Sequence, residues 1–243
     1  RRAPDPEGED GYMLHHLSLR EHILTTETMS YPVEQSRKAF AKAAMSPDDE
    51  ASISNYLYRT GIDHLLSNDQ VADARSKLLD IDYLGKMFEL GKQNLDILQY
   101  WLKIGDNDQG KGYIASVNKY LERDLKEENL DVLEKFLSFC FLAGWSNLGV
   151  ETAELISKAS EKLLGPKHQK TLNIYIHQGN FLNMEANFEK ALNVLNFALK
   201  AQEKTLGINH SETLTAVNNL GLLYSNKGDY LSLIHISEPT RRS

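Results

Sequence analysis

Residues 161–172 read EKLLGPKHQKTL, and residues 203–214 read EKTLGINHSETL. Glu161 pairs with Glu203, Lys162 with Lys204, Leu164 with Leu206 and Gly165 with Gly207, always 42 positions apart. His168 and His210, Thr171 and Thr213, and Leu172 and Leu214 follow at the same step. The step continues through Gly179 and Gly221, Ala186 and Gly228, and Phe188 and Tyr230. Self-similarity at a fixed step of this length marks a stacked helical repeat, in which each unit buries its apolar face against the next. The pattern favours a binding scaffold over an enzyme.

Within the repeat, Val217, Leu220, Gly221 and Tyr224 fall on one face of a helix over 214–226. Gly221 is small where a partner helix must approach closely. Gly228 is placed to end the helix, because glycine adopts left-handed geometry at low cost. A second helix over 188–205 carries Ala191, Leu195 and Ala198 on its packing face. One step earlier the pattern fades. The leucine–glycine pair falls on Glu122 and Arg123, the histidine on Lys126, and Leu137 stands at the helix glycine. Gly144 and Gly149 still agree, so 133–164 is expected to be a degenerate first repeat.

Upstream, helical periods run over 51–66, 71–79, 81–88, 95–104, 113–120 and 130–143, and an Ala-rich helix over 37–45. Residues 105–112 (GDNDQGKG) read as a break, and the charge run 119–134 as a solvated helix face. Few segments alternate at period two. The expected fold is all-α, a helical linker domain followed by an α-solenoid array.

These residues resemble the tetratricopeptide consensus. Asn219-Leu220-Gly221, Tyr224 and Gly228-Asp229-Tyr230 match its positions, as do Gly179, Phe188, Ala191 and Ala198 one repeat earlier. The 42-residue length and the LGxxH linker are similar to the kinesin-light-chain variant. The resemblance implies a concave groove lined by first helices. Its positions here are Ile176, Asn180, Asn183 and Met184, then Thr215, Asn218, Leu222, Ser225 and Asn226. Asparagine donates to and accepts from an extended backbone, and Ile176, Met184 and Leu222 offer apolar contact. No Lys or Arg occupies these positions, which disfavours a clamp for terminal carboxylates. The expected partner is a protein or an extended peptide.

A second resemblance lies upstream. Residues 12–21 (YMLHHLSLRE) look like the end of the winged-helix region in signal-transduction NTPases with a NACHT-type module. Residues 58–66 (YRTGIDHLL) and 74–84 (ARSKLLDIDYL) resemble the helical segment that follows there. Leu98-Gln99-Tyr100-Trp101 with Gly105, and Tyr113-Ile114-Ala115-Ser116, are similar to the linker of nephrocystin-3-like proteins. The resemblance implies a nucleotide-binding module before Arg1, none of whose phosphate-binding residues occur in this chain. Nucleotide is therefore expected only through that missing domain. The alternative is a stand-alone kinesin-light-chain-like adaptor.

The expected division is a winged-helix-like end over 1–28, a helical linker over 29–128 and repeats over 129–230. Residues 231–241 (LSLIHISEPTR) look like a translated sequencing-library adapter, so 231–243 is expected to be non-native and the array to continue beyond Tyr230. The chain starts at Arg1 rather than Met and reads as an internal fragment.

Composition narrows the function classes. The 243 residues are 41% hydrophobic and 25% charged, ample for a core. A net charge of −7 argues against a nucleic-acid partner. Cys140 is the only cysteine, so no internal disulfide forms, and its apolar neighbours mark a structural thiol. No apolar run reaches the roughly 18–20 residues of a membrane helix, and a cytoplasmic location is expected.

Catalytic patterns fail on inspection. Gly105–Gly112 approaches a phosphate-binding loop, but Gly112 stands where Ser or Thr is required and the preceding segment is helical. Asp106, Asp108 and Gly110 hint at a calcium loop, but Val117 occupies the position of its bidentate Glu. His15, His16 and His22 lack a metal-ligand pattern, and Asn209-His210-Ser211 reads as a turn rather than a glycan acceptor. No catalytic residue, metal site or cofactor is expected.

Overall fold

The computed structural model describes residues 27–45, 51–105 and 109–228. Eleven helices and no strand occur among them. They are α1 (Glu27–Ala44), α2 (Ala51–Ser67), α3 (Val71–Leu79), α4 (Ile81–Glu89), α5 (Asn94–Ile104) and α6 (Gln109–Leu121). Then follow α7 (Asn129–Leu142), α8 (Ser146–Leu164), α9 (Gln169–Met184), α10 (Phe188–Leu206) and α11 (Ser211–Lys227). The all-α class read from the sequence is the class observed. None of the described helices is long and apolar enough to cross a membrane. The segments 12–21 and 229–243, with the readings placed on them, lie outside the described residues.

The chain divides into two compact units after Ala74. In the first, α1 packs on α2. The rings of Phe40 and His64 stack with centroids 4.9 Å apart, and Tyr56 Oη lies 3.0 Å from His64 Nε2. Leu57, Ile62 and Leu65 are buried along one stripe of α2. α1 begins well before the Ala-rich run and contains Pro32.

In the second unit, Tyr113 organises the helices that precede the repeats. Its hydroxyl donates to Leu78 O at 2.9 Å and receives Trp101 Nε1–H at 3.1 Å. A buried phenol without partners would cost on the order of 1–3 kcal/mol, so both bonds matter. Phe136, Phe139 and Trp145 pack edge-on or tilted around the same ring. Asp80 caps α4 by accepting from the amides of Asp82 and Tyr83.

Two expectations are corrected here. Residues 105–112 are not a loop throughout, because α6 already starts at Gln109 and includes Gly110 and Gly112. A Cβ on Gly112 would sit 2.7 Å from Leu79, so this glycine allows a close helix approach rather than a turn. The charge run 119–134 is not one helix face either. It breaks between Leu121 and Asn129, where Asn129 Oδ1 accepts from Lys126 N–H at 2.8 Å and Arg123 forms a two-pronged pair with Asp82 at 2.7 and 2.5 Å.

Candidate peptide-binding cleft

The repeat is visible in the backbone itself. Gly144, Ala186 and Gly228 stand 42 positions apart and have φ of 72°, 56° and 77°. The residues after the first two, Trp145 and Asn187, have φ/ψ of −86°/63° and −85°/64°. Trp145 N–H donates to Cys140 O and Asn187 N–H to Leu182 O, at 3.0 and 2.8 Å. Gly165 and Gly207 have φ/ψ of 91°/160° and 89°/161°, a region essentially closed to other residues. His168 and His210 then cap α9 and α11, each accepting through Nδ1 from the amide two residues on. The degenerate unit α7–α8 therefore has the same turn as α9–α10, although its sequence has diverged.

Small residues set the spacing between helices. A Cβ on Gly149 would lie 2.2 Å from the Phe181 ring, and one on Gly179 would lie 2.5 Å from Leu195. Leu172, Ala191, Leu195, Ala198, Ala216 and Leu220 form the shared core of α9, α10 and α11. Burying each large apolar side chain contributes about 1.5–3 kcal/mol. Thr213, Ala216, Leu220 and Leu223 are the buried stripe of α11, a face rotated slightly from the one read through Val217 and Tyr224.

This packing lays the first helices α7, α9 and α11 side by side. Between them opens a cleft of about 370 Å³. α9 contributes Asn173, Ile176, His177 and Asn180, which share one face at helical spacing. α11 contributes Glu212, Thr215 and Asn219, and α7 contributes Glu134. Asn173 donates from Nδ2 to Glu134 Oε1 at 3.4 Å. Near the start of α9, Lys170 bonds both Asp131 and the Glu127 carbonyl.

Burial pushes the Glu134 carboxyl above its ordinary range. The Asn173 amide and the Lys170 charge oppose that shift, and the negative charges of Asp131 and Glu212 add to it. Burial also pushes the His177 imidazole down to about 4, so this ring is neutral at physiological pH. Among the described residues no group of metal-ligating side chains is assembled.

Of the groove positions named from sequence, Ile176, Asn180 and Thr215 line the cleft. Asn183 is only 7% exposed and accepts a bond from Asn226 Nδ2 at 3.3 Å, so these two asparagines join α9 to α11. Met184, Asn218, Leu222 and Ser225 are outside the cleft; Met184 and Leu222 are exposed. Sequence reasoning missed Glu134, Asn173, His177, Glu212 and Asn219. The repeat step held a signal for two of them, because Asn173 lies one step before Thr215 and Glu134 one step before Ile176.

No family model matches the chain, and no curated protein matches it. Among solved structures the chain is similar to the crystal structure of BtubC (BKLC) from P. vanneervenii. The identity is 14%, the match covers 86% of this chain and 94% of that one, and the TM-score is 0.44. So distant a likeness says nothing of function, and the repeat reading rests on the matched turns and helix pairs.

Proposed function

We propose that this chain is a protein-interaction scaffold of tetratricopeptide type, binding an extended peptide or a protein segment in the cleft between α7, α9 and α11. The single observation that carries this reading is the open cleft lined by Asn173, Asn180, Asn219 and Ile176. Amide side chains on helical spacing can pair with a peptide backbone whatever its sequence, and Ile176 offers an apolar contact. A random peptide library selected on the chain tests it. The double substitution Asn180→Arg and Thr215→Arg should fill the cleft and weaken the selected peptides by tenfold or more. Unchanged binding by a folded double variant contradicts the reading.

The upstream resemblance supports a further step. In it the scaffold is part of a larger signalling NTPase, and the helices before the repeats couple nucleotide state to partner capture. Extending the coding sequence upstream tests this. A phosphate-binding loop there supports it; its absence favours a stand-alone adaptor. The cleft would serve either protein, and a cytoplasmic setting suits both.

A further inference from the structure

The charge in the cleft is lopsided. Among the described residues Glu134 and Glu212 both line it, and no lysine or arginine does. The nearest cation on α9, Lys170, is already held by Asp131 and the Glu127 carbonyl. Glu212 lies 4.0 Å from His210 Nδ1, and that nitrogen accepts the Glu212 amide. The remaining titratable group of the cleft, His177, is neutral. Among the described residues Glu134 is thus half-buried with one weak donor, Asn173 at 3.4 Å, and the charge of Lys170, itself held by Asp131, to favour its ionised form. A desolvated carboxylate with so little compensation lowers the free energy of any cation that reaches it.

We infer that the cleft takes a lysine or arginine side chain of the bound peptide, seated between Glu134 and Glu212. This rests on the cleft being the peptide site. The asparagines hold the backbone of the segment, and the two carboxylates choose which side chain points inward. Both carboxylates come from first helices on either side of α9. A basic side chain therefore also fixes the register of the segment across the stack. Repulsion excludes an acidic side chain from the same position.

Three pools of otherwise randomised nonapeptides test this, with a fixed central residue of arginine, norleucine or glutamate. They are titrated into the full chain while the side-chain amide of Asn180 is followed by NMR. The arginine pool should bind about tenfold more tightly than the norleucine pool, and the glutamate pool more weakly than either. The double variant Glu134→Gln and Glu212→Gln should erase that ranking and keep the norleucine affinity. If that variant does not fold, Glu212→Lys at the open edge serves instead, and should favour the glutamate pool. A flat or reversed ranking in the unsubstituted chain, with the Asn180 amide still shifting, overturns the cation subsite and leaves the peptide site standing. No shift of Asn180 with any pool overturns both.

Discussion

Gly149 on α8 faces the ring of Phe181 on α9 so closely that an added Cβ would lie 2.2 Å from a ring carbon. Phe181 is fully buried and has nowhere to retreat. Gly149→Ala should therefore lower stability by about 1–3 kcal/mol, despite the better helix propensity of alanine. Gly110→Ala in α6 is the control, since nothing lies within 4 Å of its added Cβ. That change should be neutral or mildly stabilising in urea unfolding.

Ala186 sits at the turn where Gly144 and Gly228 occupy the other units, with φ of 56°. A Cβ in left-handed geometry costs roughly 1–2 kcal/mol, part of which glycine gives back through its larger unfolded-state entropy. Ala186→Gly should stabilise the chain by about 0.5–1 kcal/mol. A fall in the urea midpoint would show that the turn is not strained.

Gln202 is fully buried on α10, and neither atom of its amide has a hydrogen-bond partner. At the same position one repeat earlier, Ser160 bonds Thr171 at 2.7 Å. Thr213, the counterpart of Thr171, gives its proton to Gly207 O instead. Gln202→Met keeps the volume and removes the orphaned amide, and should stabilise by about 1–2 kcal/mol. Destabilisation in thermal or urea melts would mean that the amide is satisfied in solution.

His177 makes stability depend on pH. Its folded value of about 4 lies below the ordinary 6.5, so between these values the unfolded chain binds a proton that the folded chain refuses. The contribution is fully present above pH 6.5 and is lost as pH falls towards 4. The loss should be on the order of 2 kcal/mol, below the full linkage value because the residue is only partly buried and lines the open cleft. His177→Gln should flatten the urea midpoint across that interval. An unchanged slope would contradict the burial of the ring.

Much of the fold was legible in the sequence because its determinants are local. Helical periods placed α3 and α4 almost to the residue, and glycines fixed the turns at 144 and 228. The degenerate unit α7–α8 was harder. Arg123 and Lys126 replace the glycine and histidine of the linker, so the shared geometry shows only in the backbone angles. Gly112 misled for the opposite reason, since a helix glycine that admits Leu79 reads like a loop glycine. In the site, consensus positions named Asn183 as a contact, whereas packing spends it on Asn226. His177, Glu212 and Asn219 reach the cleft through the way the first helices stack, which no consensus position encodes.

Peptide binding in the cleft is tested by following the side-chain amides of Asn173, Asn180, Asn219 and Asn193 by NMR while a library-selected peptide is titrated in. The first three line the cleft, and Asn193 lies at a separate depression beside Tyr175 and Phe197. The cleft amides should shift together with one dissociation constant while Asn193 stays still. Shifts at Asn193 with the cleft amides unmoved would contradict it.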